Sequence, residues 1–149
     1  MNRSDRAPDG VFDQGELVDS LVQAAFVTMA VLTEVAGDNE VSLTQLRVFG
    51  ILRDRRVGVT ALANYLGLEK STMTGLVGRA EKRGLLQRAP NPADGRAVDV
   101  FLTAAGAELV ERVHGHIART LAPMTDALGP AEQRRLDTLL RRVLDSGPS

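Results

Sequence analysis

The chain has 149 residues, 44% of them apolar and 25% charged, with 18 Lys and Arg against 19 Asp and Glu and neither cysteine nor tryptophan. That length suits one domain able to bury roughly 68–70% of its unfolded surface, and the composition excludes wholesale disorder and fibrous repeats. Zero cysteine excludes disulfide frameworks, thiolate metal sites and thiol redox sensing.

Residues 1–12 are polar, carry Pro8 and Gly10, and read as a flexible extension. The first twenty residues contain Asp5, Asp9, Asp13, Glu16 and Asp19 and lack the apolar stretch of a secretory leader. No apolar run approaches the ~20 residues of a membrane span, so a cytoplasmic protein without a membrane partner is expected. Residues 13–36 form a long helical pattern. Leu17, Leu21, Ala24, Thr28, Val31 and Val35 make one stripe, and Val18, Val22, Ala25 and Met29 make a second beside it. Their joint arc is wider than a small core needs, which predicts a partner subunit over part of it. Gly37-Asp38 is expected to stop this helix with glycine at the C′ position. Ser42-Leu43-Thr44-Gln45 has capping-box spacing and opens a helix to about residue 52, with Leu46 and Phe49 inward.

Residues 60–66 form a short helix closed by Gly67, and residues 70–83 a further helix ending at Gly84. Residues 85–89 and 98–102 are strand-like; in the second, Val98, Val100 and Leu102 alternate with Asp99 and Phe101. Between them lies the turn-rich run Pro90-Asn91-Pro92-Ala93-Asp94-Gly95-Arg96 of a hairpin tip. Thr103 caps another long helix to about residue 124, Gly129-Pro130 separates it from a last amphipathic helix with Leu136, Leu139, Leu140, Val143 and Leu144, and residues 146–149 form a tail.

Charge is uneven along this plan. Residues 1–40 hold two bases against eight acids, a net of −6, whereas residues 53–96 hold nine bases against four acids, a net of +5. A localised basic face suits a polyanion partner. Helix, short helix, turn, helix and two-stranded hairpin in succession describe a winged helix-turn-helix. The predicted fold is mainly α with a small β-hairpin wing and about six helices. The helix from Lys70 exposes Ser71, Thr72 and Thr74, whose hydroxyls suit phosphates or base edges, and Arg79 lies two turns further on. Free N–H groups at its start favour phosphate. Arg96 at the hairpin tip is placed to enter a minor groove, with Asp94 two residues earlier to hold its guanidinium, and Lys70, Arg79 and Arg88 either contact DNA or only contribute field. Arg53, Arg55 and Arg56 fall in a helix-end loop, either as DNA contacts or as part of the field.

Residues 57–106 resemble the multiple-antibiotic-resistance regulator (MarR) family through Leu62-Ala63, the Ser71-Thr72-Met73-Thr74 turn, Glu81-Lys82-Arg83-Gly84-Leu85, the Asp94-Gly95-Arg96 tip, Leu102-Thr103 and Gly106. With its flanking helices, the likeness covers residues 13–145. It implies an intertwined homodimer of one domain over 13–145, with residues 13–36 and 103–145 as dimerisation helices and 42–102 as the DNA-binding lobe. It further implies a ligand-responsive transcriptional regulator, usually a repressor, that binds an inverted-repeat double-stranded operator as a homodimer. Family roles carry to Ser71, Thr72 and Thr74 as DNA contacts and to Arg96 as the wing contact braced by Asp94. Two positions depart from the pattern: Gly75 stands where the family often has arginine, and Glu69 sits at the recognition helix's N-cap.

Phe26, Met29, Phe49 and Val113 either line a ligand cleft between the dimer helices and the DNA lobe or belong to the core. His114 and His116, at i and i+2, project about 200° apart and suit no shared metal; no metal or other cofactor is expected. No phosphate-binding glycine loop, nucleophile elbow or His-Glu metal pair is present, so the chain is not expected to be an enzyme. The competing reading is a winged-helix module for protein or small-molecule contact with little DNA affinity.

Overall fold

The computed structural model describes residues 14–147; the predicted extension over 1–12 and the last two residues of the tail lie outside them. Nine elements follow in order: α1 (Gln14–Asp38), α2 (Leu43–Ile51), β1 (Val57–Gly58), α3 (Val59–Leu66), α4 (Lys70–Lys82), β2 (Leu86–Pro90), β3 (Val98–Leu102), α5 (Ala104–Thr125) and α6 (Pro130–Asp145). The fold is mainly helical with a small antiparallel wing, and the structure is of one chain.

Local chemistry sets most boundaries. Ser42 Oγ accepts from Gln45 N–H while Gln45 Oε1 accepts from Ser42 N–H, both at 3.0 Å, the reciprocal bonds of a capping box. Gly67 closes α3 in the left-handed region at φ 65°. Pro130 begins α6 behind Gly129, whose N–H is taken by Glu132 Oε1 at 3.0 Å. Ser146 and Gly147, read as tail, still bond back to Val143 and Leu144 carbonyls.

α1 ends later than the glycine signal suggests. Gly37 stays helical, and Glu40 takes the left-handed conformation at φ 55°. Val41 N–H then reaches back to Ala36 O at 3.0 Å, Asn39 Nδ2 donates to Val35 O at 2.8 Å, and Arg83 Nη1 donates to Glu40 O at 2.6 Å. Burial of Val41 beyond the turn explains the choice: the chain must tuck this valine into the core, and that contact outweighs the roughly 1 kcal/mol of left-handed strain at a glutamate.

The sheet has a third strand absent from the sequence reading. β1 pairs antiparallel with β3, Val57 opposite Val100 and Gly58 opposite Asp99, so β3 is central in the order β1-β3-β2. Two residues carry no readable periodicity. The alternation along β3 also needs correcting: Val98 is exposed and Asp99 is buried, at 6% relative exposure. Val98 lies out along the wing beyond the core, while Asp99 is enclosed by polar partners from the wing and the α2–β1 connection.

One core joins α1 to α5: Val35 of α1, Phe49 of α2, Leu62 of α3, Met73 and Val77 of α4, and Val100 of β3, closed from α5 by Leu109, Val110 and Val113. α6 buries nothing in the monomer, and α1 leaves Leu17, Val18, Leu21 and Val22 exposed. Contrary to the sequence reading, α1 is long and apolar enough to cross a membrane by length and composition. Its C-terminal part, however, buries Val35 and Ala36 against the core.

Candidate nucleic-acid interface

α4 is amphipathic by simple spacing. Met73, Leu76, Val77 and Ala80 are buried, which turns Ser71, Thr72, Thr74 and Arg79 outward. Glu69 is the N-cap but makes no side-chain capping bond, so the first-turn N–H groups, which have no intrahelical partner, are left for an external acceptor. Arg79 folds back along the helix: its Nη1 lies 3.4 Å from where a Cβ on Gly75 would stand. The guanidinium of Arg79 therefore lies beside Gly75.

Asparagine builds the wing. Asn91 Oδ1 accepts from Ala93 N–H at 2.8 Å and Asp94 N–H at 3.1 Å, and Asn91 N–H donates to Ala97 O at 2.9 Å across the tip. Its amide Nδ2 donates to both oxygens of the buried Asp99 at 3.2 and 3.1 Å. Arg56 closes the cluster, 3.5 Å from Asp99 Oδ2 and stacked 4.7 Å over the Phe101 ring. Asp94 does not clamp the Arg96 guanidinium as the sequence suggested; its Oδ1 accepts the Arg96 backbone N–H at 3.1 Å. At two residues' separation the carboxylate is close enough to its own turn to satisfy the backbone first, which leaves the arginine side chain exposed at the tip.

Helix and wing meet in a groove of about 270 Å³ lined by Gly58, Val59, Thr60, Lys70, Thr74, Arg88, Arg96, Ala97 and Val98. Four candidate residues, Lys70, Thr74, Arg88 and Arg96, thus come together. Ser71 and Thr72 are exposed on the first turn of α4 outside this lining, as are Arg79 further along and Asp94 in the wing. Thr60 is a wall residue the sequence reading missed, because only the β1–β3 pairing brings the start of α3 to the wing. Arg88 is not free: Glu81 holds it through Nη2–Oε1 at 3.0 Å and Nε–Oε2 at 3.3 Å. That bonding lowers the Glu81 pKa and raises that of Arg88. The pair therefore persists above the ordinary carboxylate range and is lost as pH falls through the lowered Glu81 value. The α2–β1 arginines all have internal partners. Arg53 pairs with Glu111 at 3.0 Å, Arg55 donates to Ile51 O at 2.6 Å, and Arg56 joins the Asp99 cluster.

A second, larger cleft of about 710 Å³ lies between α1, α2, the α3–α4 turn and α5. Met29, Phe49 and Val113 line it, as do Leu46, Leu68 and Ile117, with Arg47, Arg53 and His114 as its charged or titratable members. Phe26 does not; it is 73% exposed on α1. His114 is in the lining and His116 is not, and no cluster of three or more potential metal ligands occurs among the described residues.

A profile of the MarR family matches residues 40–97. Over 138 residues the chain is 30% identical to the HTH-type transcriptional repressor NicR of Pseudomonas putida, an alignment covering 91% of this chain and 87% of NicR. The chain belongs to the MarR family. It is 29% identical over 115 residues to the multiple antibiotic resistance protein MarR of Escherichia coli, covering 76% of this chain and 80% of that protein. The crystal structure of apo wild-type E. coli MarR matches it with a TM-score of 0.69 at 26% identity, over 91% of this chain and 99% of that one. RV1404 from Mycobacterium tuberculosis shares the fold at a TM-score of 0.76 and 24% identity, over 96% and 100% of the two chains. This MarR-family chain is accordingly a winged helix-turn-helix transcriptional regulator, in a family of regulators and not of enzymes.

Proposed function

We propose that the chain is a ligand-responsive repressor that binds an inverted-repeat, double-stranded operator as a homodimer in the cytoplasm, where its DNA would be. The first turn of α4, with Lys70, Ser71, Thr72 and Thr74, enters the major groove, and Arg79 follows along the same helix. Arg88 contacts backbone between helix and wing, and Arg96 enters the adjoining minor groove from a tip shaped by Asp94. The observation that carries this reading is the groove in which Lys70, Thr74, Arg88 and Arg96 converge with no acidic side chain in its lining. Residues 42–102 act as the DNA lobe, and residues 13–36 and 103–145 pair two copies. Two-fold symmetry then places half-sites about 34–36 Å apart. The apolar cleft supports an effector site with Met29, Phe49 and Val113 in its wall. A ligand there releases DNA only to the extent that it favours one spacing of the two lobes over the other.

A salt titration with a random-sequence duplex pool tests the reading. The logarithm of affinity should fall steeply with the logarithm of salt, by about 0.9 per neutralised phosphate. Arg96→Ala should weaken binding while leaving the melting temperature unchanged, because the backbone N–H of Arg96, not its side chain, builds the turn. No binding, or binding indifferent to salt, supports instead a winged-helix module for protein or small-molecule contact.

A further inference from the structure

Glu81 in the last turns of α4 and Arg88 in β2 face each other where the recognition helix joins the wing. Their two parallel bonds are joined by a third, from the Arg88 backbone N–H to Glu81 Oε2 at 3.2 Å. The guanidinium is thus held by one edge, through Nε and Nη2, and Nη1 makes no hydrogen bond among the described residues. The arginine also lines the groove beside Lys70, Thr74 and Arg96. A solvent-exposed ion pair adds little to stability, so a second consequence of this geometry carries more weight. Guanidinium is a rigid plane with five donors, and fixing one edge fixes the direction of the other.

We propose that Glu81 is a positioning residue for DNA contact: it holds Arg88 so that the opposite guanidinium edge donates to one phosphodiester lodged in the groove between α4 and the wing. The inference rests on the DNA-binding reading above and adds a role for an acid on a face whose partner is acidic. Lys70, Thr74 and Arg96 supply the remaining charge and hydroxyl around that phosphodiester. Glu81 has already ordered a long side chain that DNA would otherwise have to immobilise.

The test is a double-mutant cycle read by fluorescence anisotropy on a random-sequence duplex pool, at low and moderate salt. Glu81→Gln is expected to weaken binding about two- to tenfold, the cost of ordering one rotamer-rich side chain. Simple charge repulsion demands the opposite sign. Arg88→Lys keeps the charge but loses the fork, and should show a similar loss with an unchanged salt slope; Arg88→Gln should lower the slope by about 0.9. Adding Glu81→Gln to Arg88→Lys should cost no more than Arg88→Lys alone, because both act through one contact. A Glu81→Gln chain that binds as tightly as the parent, or more tightly, overturns the proposal, and so does a full additional loss in the Arg88→Lys background. Failure of the parent chain to bind any duplex overturns the DNA reading itself, and the two failures are thereby told apart.

Discussion

Gly106 shows how one position can be set by a neighbour's backbone. A Cβ there would stand 2.0 Å from Leu85 O and 3.0 Å from its carbon. The approach is this close because Thr103 ties the start of α5 to the end of the α4–β2 turn: its N–H donates to Leu85 O at 3.1 Å and its hydroxyl to Gly84 O at 2.6 Å. The same hydroxyl accepts Gly106 N–H at 3.0 Å as the helix cap. Gly106→Ala should therefore destabilise the fold toward the upper end of the ~1–3 kcal/mol typical of overpacking, since a backbone carbonyl cannot rotate aside as a side chain can. Urea denaturation measures this through a lower midpoint. A midpoint equal to that of the parent would show that the α5–wing junction yields without cost.

Among the elements, the wing is the one whose shape depends on a buried charge. Asn91 organises its tip from within, but the amide of Asn91 is itself anchored on Asp99 in the central strand, and Arg56 approaches the same carboxylate from the α2–β1 connection. Three chain segments thus share one anion. Asp99→Ala leaves the Asn91 amide and Arg56 without their acceptor, at an expected cost of about 1–3 kcal/mol. The effect should be local. Amide hydrogen exchange should quicken over residues 91–97 more than in α4, whose inner face is packed by Met73 and Val77. Uniform acceleration across both elements would mean that the cluster supports the core as a whole rather than the wing.

For the whole molecule, the surface left apolar is the informative feature. α6 has no buried residue, yet Leu136, Leu139, Leu140, Val143 and Leu144 lie along it, and α1 exposes Leu17, Val18, Leu21 and Val22. Such rows on two helices are larger than the scattered apolar residues of an ordinary monomer surface. A second copy of the chain covering both is the reading that matches the proposed two-fold operator. Leu140→Asp, at a position 40% exposed in the monomer, should leave the fold of each chain intact while shifting sedimentation from dimer toward monomer and abolishing operator binding. A parent chain that sediments as a monomer at micromolar concentration would remove the symmetric repressor from consideration.

Sequence alone determined the helices, the caps at Ser42 and Thr103, the wing position and the outward hydroxyls of α4. Each of these is written in local spacing: 3.6-residue periodicity, a hydroxyl before an apolar run, a turn-rich segment between two strands. Only the tertiary structure decided the two-residue strand β1, the burial of Asp99, the left-handed Glu40 and the Glu81–Arg88 pair. It also turned Phe26 out of the cleft and gave the Asp94 carboxylate to its own turn. These features arise where segments distant along the chain compete for one acceptor or one place in the core, and that competition is settled by packing, which local spacing does not encode.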